Sequence, residues 1–299
     1  MICRLCPRMC SADRANGQTG YCGMPEEIYA ARAALHMWEE PCLSGEEGSG
    51  TVFFSGCSLR CVFCQNHFIA DGSIGKKISV ERLAEIFLEL QEKKANNINL
   101  VTPTHYIEPI KKALNISRQA GLTIPIVYNT SGYETVEAIR GLEGYIDIYL
   151  PDLKYKSEIL SLRYSKAADY FKRASAALEE MVRQKKEAVY DSRGIMKQGV
   201  IVRHLMLPGC IEDSKAVIQY LYTTYRDSIV ISIMNQYTPL PLAADIPELN
   251  RKVTAEEYEE LVDYAISLGV ENGYIQEGDT AEESFIPAFD LEGIDPVKR

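Results

Sequence analysis

No stretch of this 299-residue chain approaches the ~18 consecutive apolar residues that a membrane span needs, and its first residues, Met1-Ile-Cys-Arg-Leu-Cys6, lack the apolar core of a signal peptide. A cytoplasmic location without membrane contact is therefore expected. Basic residues are in deficit: 32 Lys and Arg against 42 Asp and Glu leave a formal charge of −10. Phosphate contacts need clustered cations, and no basic patch stands out, so nucleic acid is not an expected partner. Histidine is scarce as well. The four histidines form no His-Glu-x-x-His helix site, and a Gly-x-Ser-x-Gly elbow and a phosphate-binding Gly-rich loop are both missing.

What remains is an ordinary globular composition, 46% hydrophobic and 25% charged, long enough to bury a sizeable core. Cysteine is the exception. Seven of the nine cysteines fall in two tight clusters. In a chain of this size that pattern reads as metal binding in a reducing compartment rather than as a disulfide scaffold.

The first cluster lies in Thr51-Val-Phe-Phe-Ser-Gly-Cys-Ser-Leu-Arg-Cys-Val-Phe-Cys64, directly after a β-branched and aromatic run. Cys57, Cys61 and Cys64 are spaced so that one loop can wrap a compact inorganic cluster. A four-iron cubane held by three thiolates keeps one iron without a protein ligand. That iron can chelate the amine and carboxylate of S-adenosylmethionine, whose sulfonium the cluster can then reduce. A structural zinc site that recruits Cys42 or His67 is the alternative reading of the same thiols.

The Cys-x3-Cys-x-aromatic-Cys loop, with Phe63 in the aromatic place, resembles the signature of the radical S-adenosylmethionine superfamily. More narrowly, Gly56-Cys-Ser-Leu-Arg-Cys-Val-Phe-Cys-Gln-Asn66 is similar to pyruvate formate-lyase activating enzyme-like iron–sulfur proteins. The resemblance implies a [4Fe-4S] cluster on Cys57, Cys61 and Cys64, S-adenosylmethionine as cofactor, and an electron donor such as flavodoxin or ferredoxin. It further implies hydrogen abstraction by a 5′-deoxyadenosyl radical and, for the narrower match, a glycyl radical enzyme as the partner that is activated. A peptide, a nucleoside or a small metabolite is the alternative target. A non-catalytic iron–sulfur or zinc protein is the reading from another class.

After residue 50 the chain alternates β-branched runs with amphipathic segments, the pattern of a parallel sheet covered by helices. Strands are expected at about 51–56, 97–102, 124–129, 145–150, 200–207 and 228–235, and helices at about 79–94, 105–120, 133–142, 162–187, 213–226 and 254–269. The pattern fits an open partial (β/α)6 barrel or a flat doubly wound sheet, and the resemblance favours the barrel. The expected division is a Cys-rich metal-binding segment over 1–50, with a short helix around 26–38, and the partial barrel over 51–299, with 270–299 covering its edge.

In the first segment Cys3, Cys6, Cys10 and Cys22 are spaced by two, three and eleven residues. Four thiolates suit either a closed zinc site or a second iron–sulfur cluster. The lone Cys42 and Cys210 read as buried residues.

Chemistry on such a sheet belongs at the carboxyl ends of the strands. Val101-Thr-Pro-Thr-His105 stands where the family commonly carries Gly-Gly-Glu; Thr102 and Thr104 can offer acceptors to the cofactor, and His105 reads as a helix-start residue. Asn129-Thr-Ser-Gly132 resembles the Asp-Thr-Asn-Gly segment of the activating enzymes, which places Asn129 and Ser131 near the cofactor; Asn129 lacks the charge that a cation there would need. Asp152-Leu-Lys154 resembles an Asp-Leu-Lys of the same enzymes, with Lys154 set to neutralise the methionine carboxylate, Asp152 to aid the ribose or ammonium end, and a surface ion pair as the alternative. Arg203, beside His204 in an apolar strand, needs a partner or a cleft, and reads as a contact to a cofactor carboxylate or to a core acid. Asn235, in Asn235-Gln-Tyr237, can offer its amide to the adenine.

Overall fold

A computed structural model describes residues 2–276 and 287–296. The strands are β1 (Ile28–His36), β2 (Ser49–Phe54), β3 (Lys76–Ile78), β4 (Ile98–Val101), β5 (Ile126–Thr130), β6 (Ile148–Pro151), β7 (Val189–Tyr190), β8 (Met196–Leu205), β9 (Val230–Met234) and β10 (Gly273–Ile275). The helices are α1 (Pro41–Ser44), α2 (His67–Ala70), α3 (Val80–Glu92), α4 (Ile107–Gln119), α5 (Val136–Arg140), α6 (Glu158–Ser165), α7 (Tyr170–Gln184), α8 (Ile211–Tyr225) and α9 (Ala255–Leu268).

One open sheet runs β3-β1-β2-β4-β5-β6-β8-β9-β10, with β7 as a short hairpin partner of β8. From β2 to β10 every pair on this path is parallel, whereas β1 is antiparallel to both β2 and β3. The six expected strands are β2, β4, β5, β6, β8 and β9.

Alternation along these strands separates two cores. Ile98, Leu100, Ile126, Tyr128, Tyr149, Val200 and Val202 share the outer cluster with the buried apolar residues of α3, α4, α7, α8 and α9. Val127, Ile148, Leu150, Ile201 and Val230 form a separate inner cluster with Cys42 and Leu43 of α1. A flat doubly wound sheet would carry helices on both faces. Here the long helices cover one face and the other curls around the one-turn α1, so the architecture is the partial barrel.

Several local expectations are corrected. Residues 28–36 form a strand, not the helix expected around 26–38. Their alanines favour a helix, but Ala30, Ala31, Ala33 and Ala34 are all buried, and six residues of β1 pair with β2. Tertiary pairing overrides propensity. The single helix expected over 162–187 is two, because Lys166 takes a left-handed φ of 51° that ends α6. Residues 133–135 precede α5, whose first turn is capped by the Thr135 hydroxyl accepting from the Ala138 N–H. Beyond residue 270, β10 extends the sheet beside β9, and the backbone of Leu291 and Glu292 bonds to Ala31 and Ala33 of β1. The rest of the expected covering segment, 277–286 and 297–299, lies outside the described residues.

Candidate active site

The cluster loop leaves the carboxyl end of β2 through Gly56, whose φ of 87° and approach to the Cys22 carbonyl, 2.7 Å from where a Cβ would stand, leave room for glycine alone. Phe63 pins the loop to the barrel: it is buried edge-on to Tyr155, Tyr164 and Tyr237, with centroids 6.2–6.5 Å away. The thiols are served by donors. The Leu59 N–H donates to Cys57 Sγ over 3.3 Å, and Ser165 Oγ donates to Cys61 Sγ over 3.1 Å. Burial pushes the Cys61 and Cys64 thiols up; the Lys154 ammonium opposes this at both, and negative charge on the neighbouring thiols of the set adds to it. Three thiols within electrostatic reach of one another, two already accepting hydrogen bonds and one cation beside them, fit a cluster with one open iron. His67 turns its Nδ1 to the Cys64 carbonyl, 3.2 Å away, and Cys42 lies in the apolar inner cluster.

Beside this loop the barrel interior holds a buried ionic network. Lys154 Nζ donates to Asp152 Oδ2 (2.6 Å), Arg203 Nε to Asp152 Oδ1 (2.9 Å), Arg203 Nη2 to Asn129 Oδ1 (2.6 Å), and Arg203 Nη1 to Glu39 Oε2 (3.2 Å). Asn99 of β4 donates to the other Glu39 oxygen. The Lys154–Asp152 pair is therefore not a surface ion pair, with side-chain exposures of 15% and 13%. Burial works against ionising Asp152, but Lys154 and Arg203 outweigh it and hold the carboxyl below its usual range. At Glu39 and Glu40 burial prevails over Arg203, and both are pushed up.

The structure thus brings Asn129, Asp152, Lys154 and Arg203 together. Thr102 sits at the β4–β5 rim with a positive φ of 59°, its N–H donating to the Asn129 carbonyl. Thr104 points away from this group: its hydroxyl donates to the buried Glu134, as do Thr130 and Tyr128. His105 stands in the turn before α4, with Nε2 2.7 Å from the Ser55 carbonyl. Ser131 offers its carbonyl to the Tyr170 hydroxyl. The Asn235 N–H donates to Gln276, which bonds Gln236, which in turn exchanges bonds with Gln65 next to Cys64. The far strand β9 is in this way tied to the cluster loop.

Residues 2–27 contain one short helical turn, Arg14–Asn16, and few buried apolar side chains, yet they gather Cys3, Cys6, Cys10 and Cys22. Burial pushes the Cys6 thiol up to about 12; the Arg8 backbone N–H pulls it down, and negative charge on Glu134, Cys22 and Cys3 adds to the push. Cys22 in turn feels Cys3 and Cys10. Among the described residues no three Cys, His, Asp or Glu side chains, in this set or the other, converge as tightly as a single bound ion requires. All nine cysteines are free thiols, Cys42 and Cys210 both buried.

Sequence reasoning missed Arg8, Glu39, Glu40, Glu134 and Ser165. Glu39 and Glu40 sit beside the Pro41 that starts α1, but nothing local signals that this turn enters a barrel; Ser165 is an ordinary helix-end serine until α6 docks on the loop.

Comparison with known proteins agrees with this geometry. The model of the radical SAM superfamily matches residues 51–197, which span the cluster loop, Asn129, Asp152 and Lys154. The uncharacterized protein MJ0674 of Methanocaldococcus jannaschii is 30% identical over 272 residues, 88% of this chain and 74% of its own. Streptococcus suis SuiB, in a structure bound to its precursor peptide SuiA, superposes with a TM-score of 0.50 at 14% identity over 74% of this chain and 46% of that one. The chain thus spans about half the length of SuiB, and at this identity the likeness is one of fold. A domain of a pyruvate-formate lyase-activating enzyme from Bacteroides vulgatus gives a TM-score of 0.40 at 11% identity, covering 57% of this chain and 91% of the domain. The three-cysteine loop stands at the carboxyl end of the first parallel strand, and residues 51–197, from that strand to the start of β8, are a radical S-adenosylmethionine superfamily domain.

Proposed function

We propose that this protein is an enzyme that cleaves S-adenosylmethionine reductively and uses the radical to take a hydrogen from a backbone glycine of a partner protein. The observation that carries the cleavage reading is the three-thiol loop of Cys57, Cys61 and Cys64 with Lys154 beside it, a buried cation whose charge acts on Cys61 and Cys64. When bound, a reduced four-iron cluster supplies the electron that splits the cofactor into methionine and a 5′-deoxyadenosyl radical. Cys57, Cys61 and Cys64 would hold the cluster.

The remaining residues bind and orient. Arg203 gives three of its five N–H donors to Asp152, Glu39 and Asn129, and the Lys154 ammonium gives one of its three to Asp152. Both cations keep donors, and Lys154, whose charge acts on Cys61 and Cys64, is the one set for the methionine carboxylate. Asp152 and Asn129 hold the two cations in place, and Thr102, Ser131 and Asn235 stand at the rim. The electron donor fits the flavodoxin or ferredoxin class. Seven cysteines in two clusters spaced for metal binding suit a reducing compartment such as the cytoplasm.

The glycine target is supported by the likeness of Gly56–Asn66 to the activating enzymes. A peptide substrate is the second reading, since SuiB, which shares the fold, was solved with a precursor peptide. Anaerobic protein reconstituted with iron and sulfide, then reduced, is expected to release 5′-deoxyadenosine from S-adenosylmethionine; none at full iron loading refutes the cleavage reading. With lysate from the source organism, a glycyl-type doublet in electron paramagnetic resonance and oxygen-dependent backbone cleavage are expected of the partner. Deuterium transfer from a peptide or small metabolite into 5′-deoxyadenosine, without a protein radical, selects the alternative.

A further inference from the structure

The N-terminal thiol segment does not hang beside the barrel; it is fastened to the cluster loop. Arg8 lies between Cys6 and Cys10, and its guanidinium donates to four carbonyls: Ser58 (2.8 Å) and Leu59 (3.3 Å) inside the Cys57–Cys61 loop, and Ser165 (2.8 Å) and Lys166 at the end of α6. The same guanidinium stacks over Tyr21, next to Cys22, at 3.9 Å, and over Tyr133 at 5.2 Å. A second arginine works from the other side. Arg14 donates to the carbonyls of Met24, Pro25 and His105, and His105 bonds the Ser55 carbonyl just ahead of the loop. Between the two arginines, Cys22 and Met24 press on Gly56 closely enough that a Cβ there would collide.

A guanidinium is a planar fork that can serve several carbonyls at fixed angles, which a flexible ammonium cannot copy. The four carbonyls that Arg8 collects belong to the two segments that set Cys61, namely its own loop and the helix end that carries Ser165. Residues 2–27 lack the apolar mass to hold Arg8 in place by packing, so its position depends on what joins the four thiols. We infer that Cys3, Cys6, Cys10 and Cys22 form a metal centre whose binding sets the shape of the Cys57–Cys61 loop, with Arg8 as the positioning residue that couples the two sites. This rests on reading both thiol sets as metal ligands.

The test uses the full chain, reconstituted anaerobically, with metal content measured for every variant. The readouts are the change that S-adenosylmethionine produces in the electron paramagnetic resonance spectrum of the reduced cluster and, in iron-free zinc-loaded protein, hydrogen exchange of the amides over 58–61. Arg8→Ala is expected to keep both metals yet need at least tenfold more S-adenosylmethionine for the half-maximal spectral change, with faster exchange in the loop. Arg8→Lys, retaining charge without the fork, should recover only part. Cys10→Ser is expected to lose the N-terminal metal and show the same shift, and the double variant should be no worse than either single one. Wild-type titration and exchange in Arg8→Ala, with both metals present, would overturn the coupling. Full metal in Cys10→Ser together with Cys3→Ser would remove the N-terminal centre itself, and loss of that metal with an unchanged titration would leave the centre standing and remove the coupling.

Discussion

Ser165 Oγ donates a hydrogen bond to Cys61 Sγ across 3.1 Å, joining the last residue of α6 to the middle thiol of the cluster loop 104 residues earlier in the chain. Hydrogen bonds to a ligand sulfur favour the reduced, more negative state of a cluster. Removing a bond worth about 1 kcal/mol should lower a one-electron potential by roughly 40 mV. Ser165→Ala is therefore expected to shift the midpoint potential downward with iron content unchanged, as measured by redox titration followed by electron paramagnetic resonance; an unchanged or raised potential contradicts this role.

Replacing Cys57, Cys61 and Cys64 together by Ala should abolish 5′-deoxyadenosine formation while leaving metal at Cys3, Cys6, Cys10 and Cys22. Iron and zinc analysis beside the product assay reads both halves. Undiminished product would remove the assignment of the loop, and loss of all metal would mean that the N-terminal thiols hold none.

Lys154→Ala should weaken S-adenosylmethionine binding by about 1.5–3 kcal/mol, the range for a hydrogen bond to a charged group. Asp152 keeps Arg203 as a partner, so the network should survive. Calorimetry on the reconstituted protein is the measurement. Wild-type affinity with a lowered melting temperature would make Lys154 a packing counter-ion only.

Glu134 sets a pH dependence. Burial raises its carboxyl from the usual 4.5 to about 7, against the hydroxyls of Thr104, Thr130 and Tyr128 that favour the ionised form. Between these values the unfolded chain has released the proton that the native state still holds, so this group's contribution declines as pH rises through that window. The full decline is about 3 kcal/mol. Glu134→Gln cannot ionise and keeps an oxygen for the same hydroxyls. Relative to wild type it should gain stability between pH 4.5 and 7.5 in urea titrations at equal metal load. Parallel profiles for the two proteins would show that Glu134 ionises normally in the fold.

Two things were written in the sequence. The β-branched runs and amphipathic stripes located six parallel strands and their helices, because burying a strand on both faces or a helix on one demands those periods. The spacing of Cys57, Cys61 and Cys64 marked the loop proposed to hold the cluster, because the ligands of a compact cluster fall within one short segment. Partner choice was not legible there. The alanines of 28–36 favour a helix by local propensity and form β1 only because the free edge of β2 is there to pair with. Asp152 and Lys154 read alone permit a surface pair; Arg203 and Glu39, from other elements, make the network a buried one. Arg8 shows nothing in the sequence beyond its charge, and its four carbonyl partners come together only when the chain near residue 58 and the end of α6 meet at the rim of the barrel. Local chemistry named the elements and the thiols, whereas long-range pairing of buried charges and backbone edges, whose energies depend on who the neighbour is, decided how they are held.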